Sequence, residues 1–194
     1  MTPAYVMAVP WDVKRMKRAN DLRKELGATL VLDQEKNAMH TFQLLLKKVV
    51  EDGDVAFLIF EDDVYLAEDF RAKSEAVIAE RPHQVVQFFS MEKETTAKEL
   101  GSREKPGNTF ISNLGVYIPA GYASQLLEYS YEFLEKYPRF KTANDFVIRY
   151  WLHQRREKYW MHYPNLVQHE AWTSSINAKR PRHRRSSLFD GETR

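Results

Sequence analysis

Three carboxylates stand side by side in this chain, Glu61, Asp62 and Asp63, directly behind the apolar run 55–60. Adjacent carboxylates repel one another, and an ionised one taken out of water without a partner is costly. The three therefore belong at the exit of a strand rather than inside it. A divalent cation would relieve the repulsion and hold them ionised. Mg²⁺ and Mn²⁺ prefer oxygen ligands and often take one or two carboxylates plus substrate phosphates. The segment FLIFEDDVYLAEDF, residues 57–70, thus suits a metal that bridges protein and diphosphate. On spacing alone, a solvated acidic strand exit fits equally, and so does the site of a metal-dependent phosphatase or nuclease.

The elements that must position these residues can be read from periodicity. Residues 5–9, 29–32, 55–60 and 85–89 are apolar and predict strands; the third, continuous in apolar character, predicts burial on both faces. Helical spacing predicts helices over 11–26, stopped by Gly27, then over 37–50 and 67–79. The first half therefore reads strand-helix-strand-helix-strand-helix-strand, an α/β pattern with a mostly parallel sheet and helices on both faces. Ligands of such sheets bind outside the carboxyl ends of the strands. In the second half, 92–108 reads as a loop and 110–118 as a strand interrupted at Asn113-Leu114-Gly115. Residues 120–137 and 142–156 read as helices, and 160–168 as one or two short strands. Beyond Thr173 the apolar content falls, which predicts a domain over 1–176 and a basic, mobile tail over 177–194.

Composition narrows the chemistry. The 194 residues suit one domain with a proper core. The chain has no cysteine, which excludes disulfides, zinc–thiolate sites and cysteine nucleophiles. No apolar run approaches the roughly 20 residues that span a bilayer. The first residues lack the pattern of a signal peptide, so the expectation is a cytoplasmic protein without a membrane span. The net charge is only +2, but basic residues cluster at 14–24 and 179–185, where they would attract phosphates. Arg15 and Arg18 would reach a bound diphosphate, although cations on a helix more often form a solvated face, the reading favoured here. Asp33, at the end of the second strand, would either contact a nucleotide or cap the next helix.

The acidic segment resembles the DxD motif of GT-A glycosyltransferases, in particular the lipopolysaccharide-type family, in which an apolar strand ends in Glu-Asp-Asp. HYPNLVQHEAWTSSI, residues 162–176, resembles a segment near the end of several such enzymes, and SNLGVYIPAGYASQLLEY and TANDFVIRYWL resemble their pocket turn and acceptor-side helix. The resemblance runs from Tyr5 to about Ile176. It implies a GT-A-like single domain with a mostly parallel, Rossmann-like sheet flanked by helices. It implies Asp63 and His169 as ligands of Mn²⁺ or Mg²⁺, Glu61 near the donor ribose and Asp62 assisting. A neutral imidazole is a suitable further ligand for Mn²⁺, whereas read by itself His169 is an ordinary surface or strand-end histidine. Asn113 would bond a sugar hydroxyl and Gly115 would permit close backbone approach; the alternative is a turn that uses both for their conformations. Asp145 would be the general base of an inverting transfer, or else Asn144 or Asp145 is simply a helix cap. The segment Val-Pro-Trp-Asp at 9–12 departs from the usual Asn-Leu, which bears on base recognition.

The function so implied is metal-dependent transfer of a sugar from a nucleotide-sugar donor to an acceptor hydroxyl. Small size and basic termini resemble phage-encoded transferases that modify hydroxymethylated bases in DNA, which makes DNA a candidate acceptor. In that reading Tyr159, Trp160 and Trp172 would stack bases near Arg155 and Arg156, although aromatics at such positions more often belong to the core. An envelope-glycan transferase, a non-catalytic nucleic-acid-binding module and a metal-dependent hydrolase are the alternatives. The sequence leaves the sugar, the acceptor and the oligomeric state open.

Overall fold

The computed structural model describes residues 1–140, 143–170 and 186–191. Strand β1, Ala4–Ala8, is buried along its whole length. Alternate side chains enter two different cores, with Tyr5 and Met7 on one face of the sheet and Val6 and Ala8 on the other. Strand β3, Phe57–Glu61, does the same, with Phe57 and Ile59 opposed to Leu58 and Phe60. A strand covered on both faces cannot alternate polar with apolar residues, which is why both read as continuous apolar runs.

Helix α1, Val13–Leu26, begins where Asp12 accepts hydrogen bonds from the backbone N–H groups of Lys14 and Arg15, and ends at Gly27 in the left-handed conformation. Strand β2 is Thr29–Leu32 and helix α2 is Ala38–Glu51, capped by Asn37. Strand β4, Val64–Leu66, follows the acidic motif, and helix α3, Phe70–Glu80, precedes strand β5, Val86–Gln87. The region expected to be a loop over 92–108 instead contains helix α4, Glu94–Leu100, and strand β6, Arg103–Pro106. Strand β6 alternates half-buried and exposed residues at the rim of the sheet, so its polar sequence is that of an edge strand. Strand β7, Val116–Ile118, helix α5, Tyr122–Lys136, helix α6, Asp145–Gln154, and strands β8, Lys158–Met161, and β9, Val167–His169, follow among the described residues.

The seven-stranded sheet runs in the order β2-β1-β3-β7-β5-β8-β6. Strands β2, β1, β3, β5 and β8 share one direction, while β7 and β6 oppose it. The molecule is thus a mixed α/β domain with a central, mainly parallel sheet flanked by helices, as the first half of the sequence predicts. Periodicity did not foretell that β7, from the second half, inserts antiparallel between β3 and β5. Strands β4 and β9 form a separate antiparallel pair, with Val64 opposite His169 and Leu66 opposite Val167. Residues 186–191 return to the domain: Leu188 is buried, its carbonyl accepts from Asn165 N at 2.7 Å, and Lys73 pairs with Asp190 at 2.8 Å. Among the described residues no helix is long and apolar enough to cross a membrane.

Candidate active site at the end of strand β3

Four buried residues of β3 lead to Glu61, whose burial is only partial, so the chain delivers its acids at the strand's carboxyl end. Asp62 turns inward and is wholly buried. Its Oδ2 accepts the backbone N–H of Val9 at 2.6 Å, and its Oδ1 accepts Arg15 Nε at 2.7 Å. Arg15 Nη2 reaches Asp62 Oδ1 at 2.5 Å and Asp63 Oδ2 at 2.9 Å. Asp62 therefore ties the exit of β1 and the start of α1 to the acidic motif. Arg15 is not the solvated cation that its basic surroundings suggest. Arg18 is half-buried and donates from Nε to Val64 O at 2.6 Å.

Asp63 is buried, and its Oδ2 lies 3.6 Å from His169 Nε2. The β4–β9 pair brings them together, and Glu170 N donates to Asp63 O at 2.7 Å just beyond it. Asp63 Oδ1 is buried without a hydrogen-bond partner, a position that needs a compensating group. A divalent ion fits there in its donor chemistry: carboxylate oxygen and imidazole nitrogen both suit Mn²⁺. Among the described residues no three His, Asp or Glu side chains gather as a complete cage. Two protein ligands are enough where substrate phosphates and water supply the rest.

The acids strain one another electrostatically. Burial pushes the Glu61 carboxyl up to about 8; Asp63 adds to the effect, Arg15 opposes it, and Asp145 and Asp62 contribute further. Burial likewise raises Asp62 to about 6 against the pull of Arg15. Burial disfavours the Arg15 charge, but Asp63, Asp62 and Glu61 more than offset this and hold it protonated. Asp145 is thus near enough to Glu61 for its charge to be felt there. It opens α6 and lines a groove with Phe110, Ile111, Phe146 and Arg149. Asn144 stands at the cap position without a side-chain cap bond; its amide is turned to Met7 Sδ at 3.7 Å.

The remaining expected residues fall as follows. Asp33 is buried and its Oδ1 accepts from Glu35 N and Asn37 N at 3.2 and 2.9 Å, bracing the turn into α2, where Asn37 is the cap. Asn113 is fully buried with neither end of its amide hydrogen-bonded. Gly115 has φ +90°, and a Cβ there would lie 2.5 Å from Val167 Cγ2, so the close approach it permits is to β9. Tyr159 packs in the core against Phe110 and bonds Thr109 O, so it is not a stacking platform. Trp160 is covered by Arg81 at 3.4 Å from its ring centre, and Arg155 pairs with Glu157. Trp172, the Ser174-Ser175 pair and the basic cluster 179–185 lie outside the described residues.

The sequence reading favours a solvated Arg15, although a signal for its burial was present. Arg15, Ala19, Leu22 and Leu26 are the buried residues of α1 and recur at helical spacing, so the arginine sits on the apolar stripe and not on the solvated one.

No protein-family model matches the chain, and no curated protein matches it. Among solved structures it is similar to A197 from STIV, with a TM-score of 0.52 and 16% identity over 87% of this chain and 84% of that one. It is also similar to CTP:phosphocholine cytidylyltransferase (LicC) from Streptococcus pneumoniae, with a TM-score of 0.49 and 10% identity over 87% and 92% of the two chains. At this identity the likeness to A197 is one of fold.

Proposed function

We propose that this protein is a metal-dependent glycosyltransferase that moves a sugar from a nucleotide-sugar to an acceptor hydroxyl. The observation that carries the reading is the meeting of Asp63 and His169 at 3.6 Å beside the carboxyl end of β3, with an oxygen of Asp63 left unsatisfied. In an open α/β sheet that end is where ligands bind. Asp63 and His169 would hold Mn²⁺ or Mg²⁺, which when bound supplies positive charge to the leaving diphosphate. Asp62 and Val9 fix the motif to the neighbouring strand. Glu61, at the open end of β3, would meet the donor ribose, with Asn113 near the sugar and Asp33 near the nucleotide.

Asp145 would take the proton from the acceptor hydroxyl as that oxygen attacks the anomeric carbon, which inverts the configuration. Its groove, lined by Phe110, Ile111 and Phe146, offers an acceptor an apolar face beside the base. A hydroxymethylated base in DNA remains the acceptor suggested by the basic cluster 179–185, with an envelope glycan as the alternative. The test is incubation with a panel of nucleotide-sugars, with and without Mn²⁺, offering hydroxymethylated DNA, ordinary DNA and free glycans side by side. The expected result is donor binding and sugar transfer only when the metal is present. Failure of every nucleotide-sugar to bind or react would overturn the reading.

A further inference from the structure

Arg15 lies inside the acidic motif. One guanidinium contacts Asp62 through both Nε and Nη2 and Asp63 through Nη2, at 2.7, 2.5 and 2.9 Å. The residue is only 7% exposed. Asp12 caps the start of its helix through the backbone N–H groups of Lys14 and Arg15, and the guanidinium is held by the two aspartates themselves. Arginine stays charged under all conditions in which a protein folds. The protein therefore supplies its own cation between two aspartates that would otherwise call for one.

This arrangement has two opposed consequences. Without a metal, Arg15 offsets the repulsion between Asp62 and Asp63 and keeps both in place. Towards a metal, it cancels part of the negative charge that would attract the ion, and it already occupies Oδ2 of Asp63. A lone divalent ion would find Asp63 Oδ1 and His169, and a fixed positive charge nearby. A diphosphate brings both the missing negative charge and the missing oxygen ligands.

We propose that Arg15 is a positioning residue that makes divalent-ion binding conditional on the diphosphate of the donor; this rests on the metal-dependent nucleotide-sugar reading given above. The ion and the diphosphate are then bound as a unit, and by linkage each tightens the other by the same factor. The guanidinium holds Asp62 and Asp63 ready while the site awaits that unit.

The experiment is calorimetric titration of the full chain with Mn²⁺, alone and with saturating UDP, GDP, CDP or ADP, on the wild type, Arg15→Met and Arg15→Lys. For the wild type, Mn²⁺ alone should bind weakly, and the recognised nucleoside diphosphate should tighten it by about tenfold or more, within the usual range of coupling between sites. Arg15→Met should bind Mn²⁺ alone about tenfold more tightly than the wild type and gain less from the diphosphate, keeping only the part that phosphate oxygens supply as ligands. Arg15→Lys keeps the charge and should retain weak binding of Mn²⁺ alone. If Arg15→Met does not fold by itself, its thermal unfolding with Mn²⁺ as the only addition becomes the readout, and recovery of folding by Mn²⁺ supports the proposal. Equal Mn²⁺ affinity of the wild type with and without every diphosphate overturns the proposal and leaves the metal site standing. So does an Arg15→Met variant that binds Mn²⁺ no better than the wild type or is not recovered by it. Absence of Mn²⁺ binding to the wild type under all these conditions overturns the metal-dependent reading itself.

Discussion

Val64 pairs with His169 across the antiparallel β4–β9 ladder, and that register places His169 Nε2 3.6 Å from Asp63 Oδ2. The backbone makes the juxtaposition, since Glu170 N also donates to the carbonyl of Asp63 at 2.7 Å. Two side chains distant in sequence are thus held together by a three-residue ladder next to the carboxyl end of β3. The register of that ladder sets the approach of the two side chains.

Replacement of Asp63 should therefore separate binding from folding. Asp63→Ala leaves Arg15 paired with Asp62, so thermal unfolding should shift by only a few degrees, roughly what a change of about 1 kcal/mol produces. Divalent-dependent binding of the donor should fall below detection in calorimetry with Mn²⁺ present. His169→Ala should weaken it by about tenfold or more, on the scale of losses at metal sites. Unchanged donor affinity in Asp63→Ala would sink the metal assignment, and a metal-bound crystal structure with His169 turned away would remove the histidine from it.

What the sequence made legible follows from periodicity. Strands β1 and β3 were readable as continuous apolar runs, and helices α1 and α2 as runs of helical period bounded by a glycine or a cap, such as Gly27 or Asn37. By pattern alone Asp63 and His169 are ends of apolar stretches, and only the resemblance pairs them; the three-residue strand β4 that brings them together is too short to carry a period. Strand β6 was hidden because an edge strand needs little apolar sequence. The place of β7 between β3 and β5 is set by long-range pairing that no local pattern encodes. Arg15 was obscured by its basic neighbours, though its register with Ala19, Leu22 and Leu26 marks it as buried.

Gly115 offers a test of the link between packing and site. Its φ of +90° already disfavours any side chain, and a Cβ would meet Val167 Cγ2 at 2.5 Å. Gly115→Ala should cost about 1–3 kcal/mol in chemical unfolding, from backbone strain and overpacking together. It should also weaken Mn²⁺-dependent donor binding, since Val167 lies on the strand that carries His169. Gly27→Ala is the control: φ is +61° but the space around it is open, so its cost should be smaller and donor binding untouched. Equal effects of the two substitutions on donor binding would break the link between β9 packing and the site.

The pH dependence of stability should carry a contribution from His162. Burial against Phe88 lowers its pKa below the ordinary 6.5, with Asp190 acting the other way. The folded state then holds fewer protons than the unfolded chain at and below that pH, so stability rises with pH up to about neutrality and is lost on acidification. His162→Phe keeps an aromatic ring and removes the titration. Urea midpoints measured between pH 5 and pH 7 should fall less steeply on acidification in the variant than in the wild type. Identical slopes would show that His162 takes up its proton as readily folded as unfolded.

Asp145 is where the chemistry of transfer is most exposed to test. It begins α6 and lines the groove with Phe110, Ile111, Phe146 and Arg149, and its charge is felt at Glu61. As a general base it must be ionised when the acceptor hydroxyl arrives, and its removal should slow transfer without disturbing the metal. Asp145→Asn keeps the shape of the side chain and the first turn of the helix. It should preserve Mn²⁺-dependent donor affinity while lowering kcat by about 10²-fold or more, the usual scale for loss of a base. A purely structural residue would instead lower stability and leave the kcat of the folded fraction intact. Turnover near the wild-type value would assign Asp145 to the helix terminus alone. A product that retains the anomeric configuration of the donor would exclude the inverting displacement, whatever the effect of the substitution on rate.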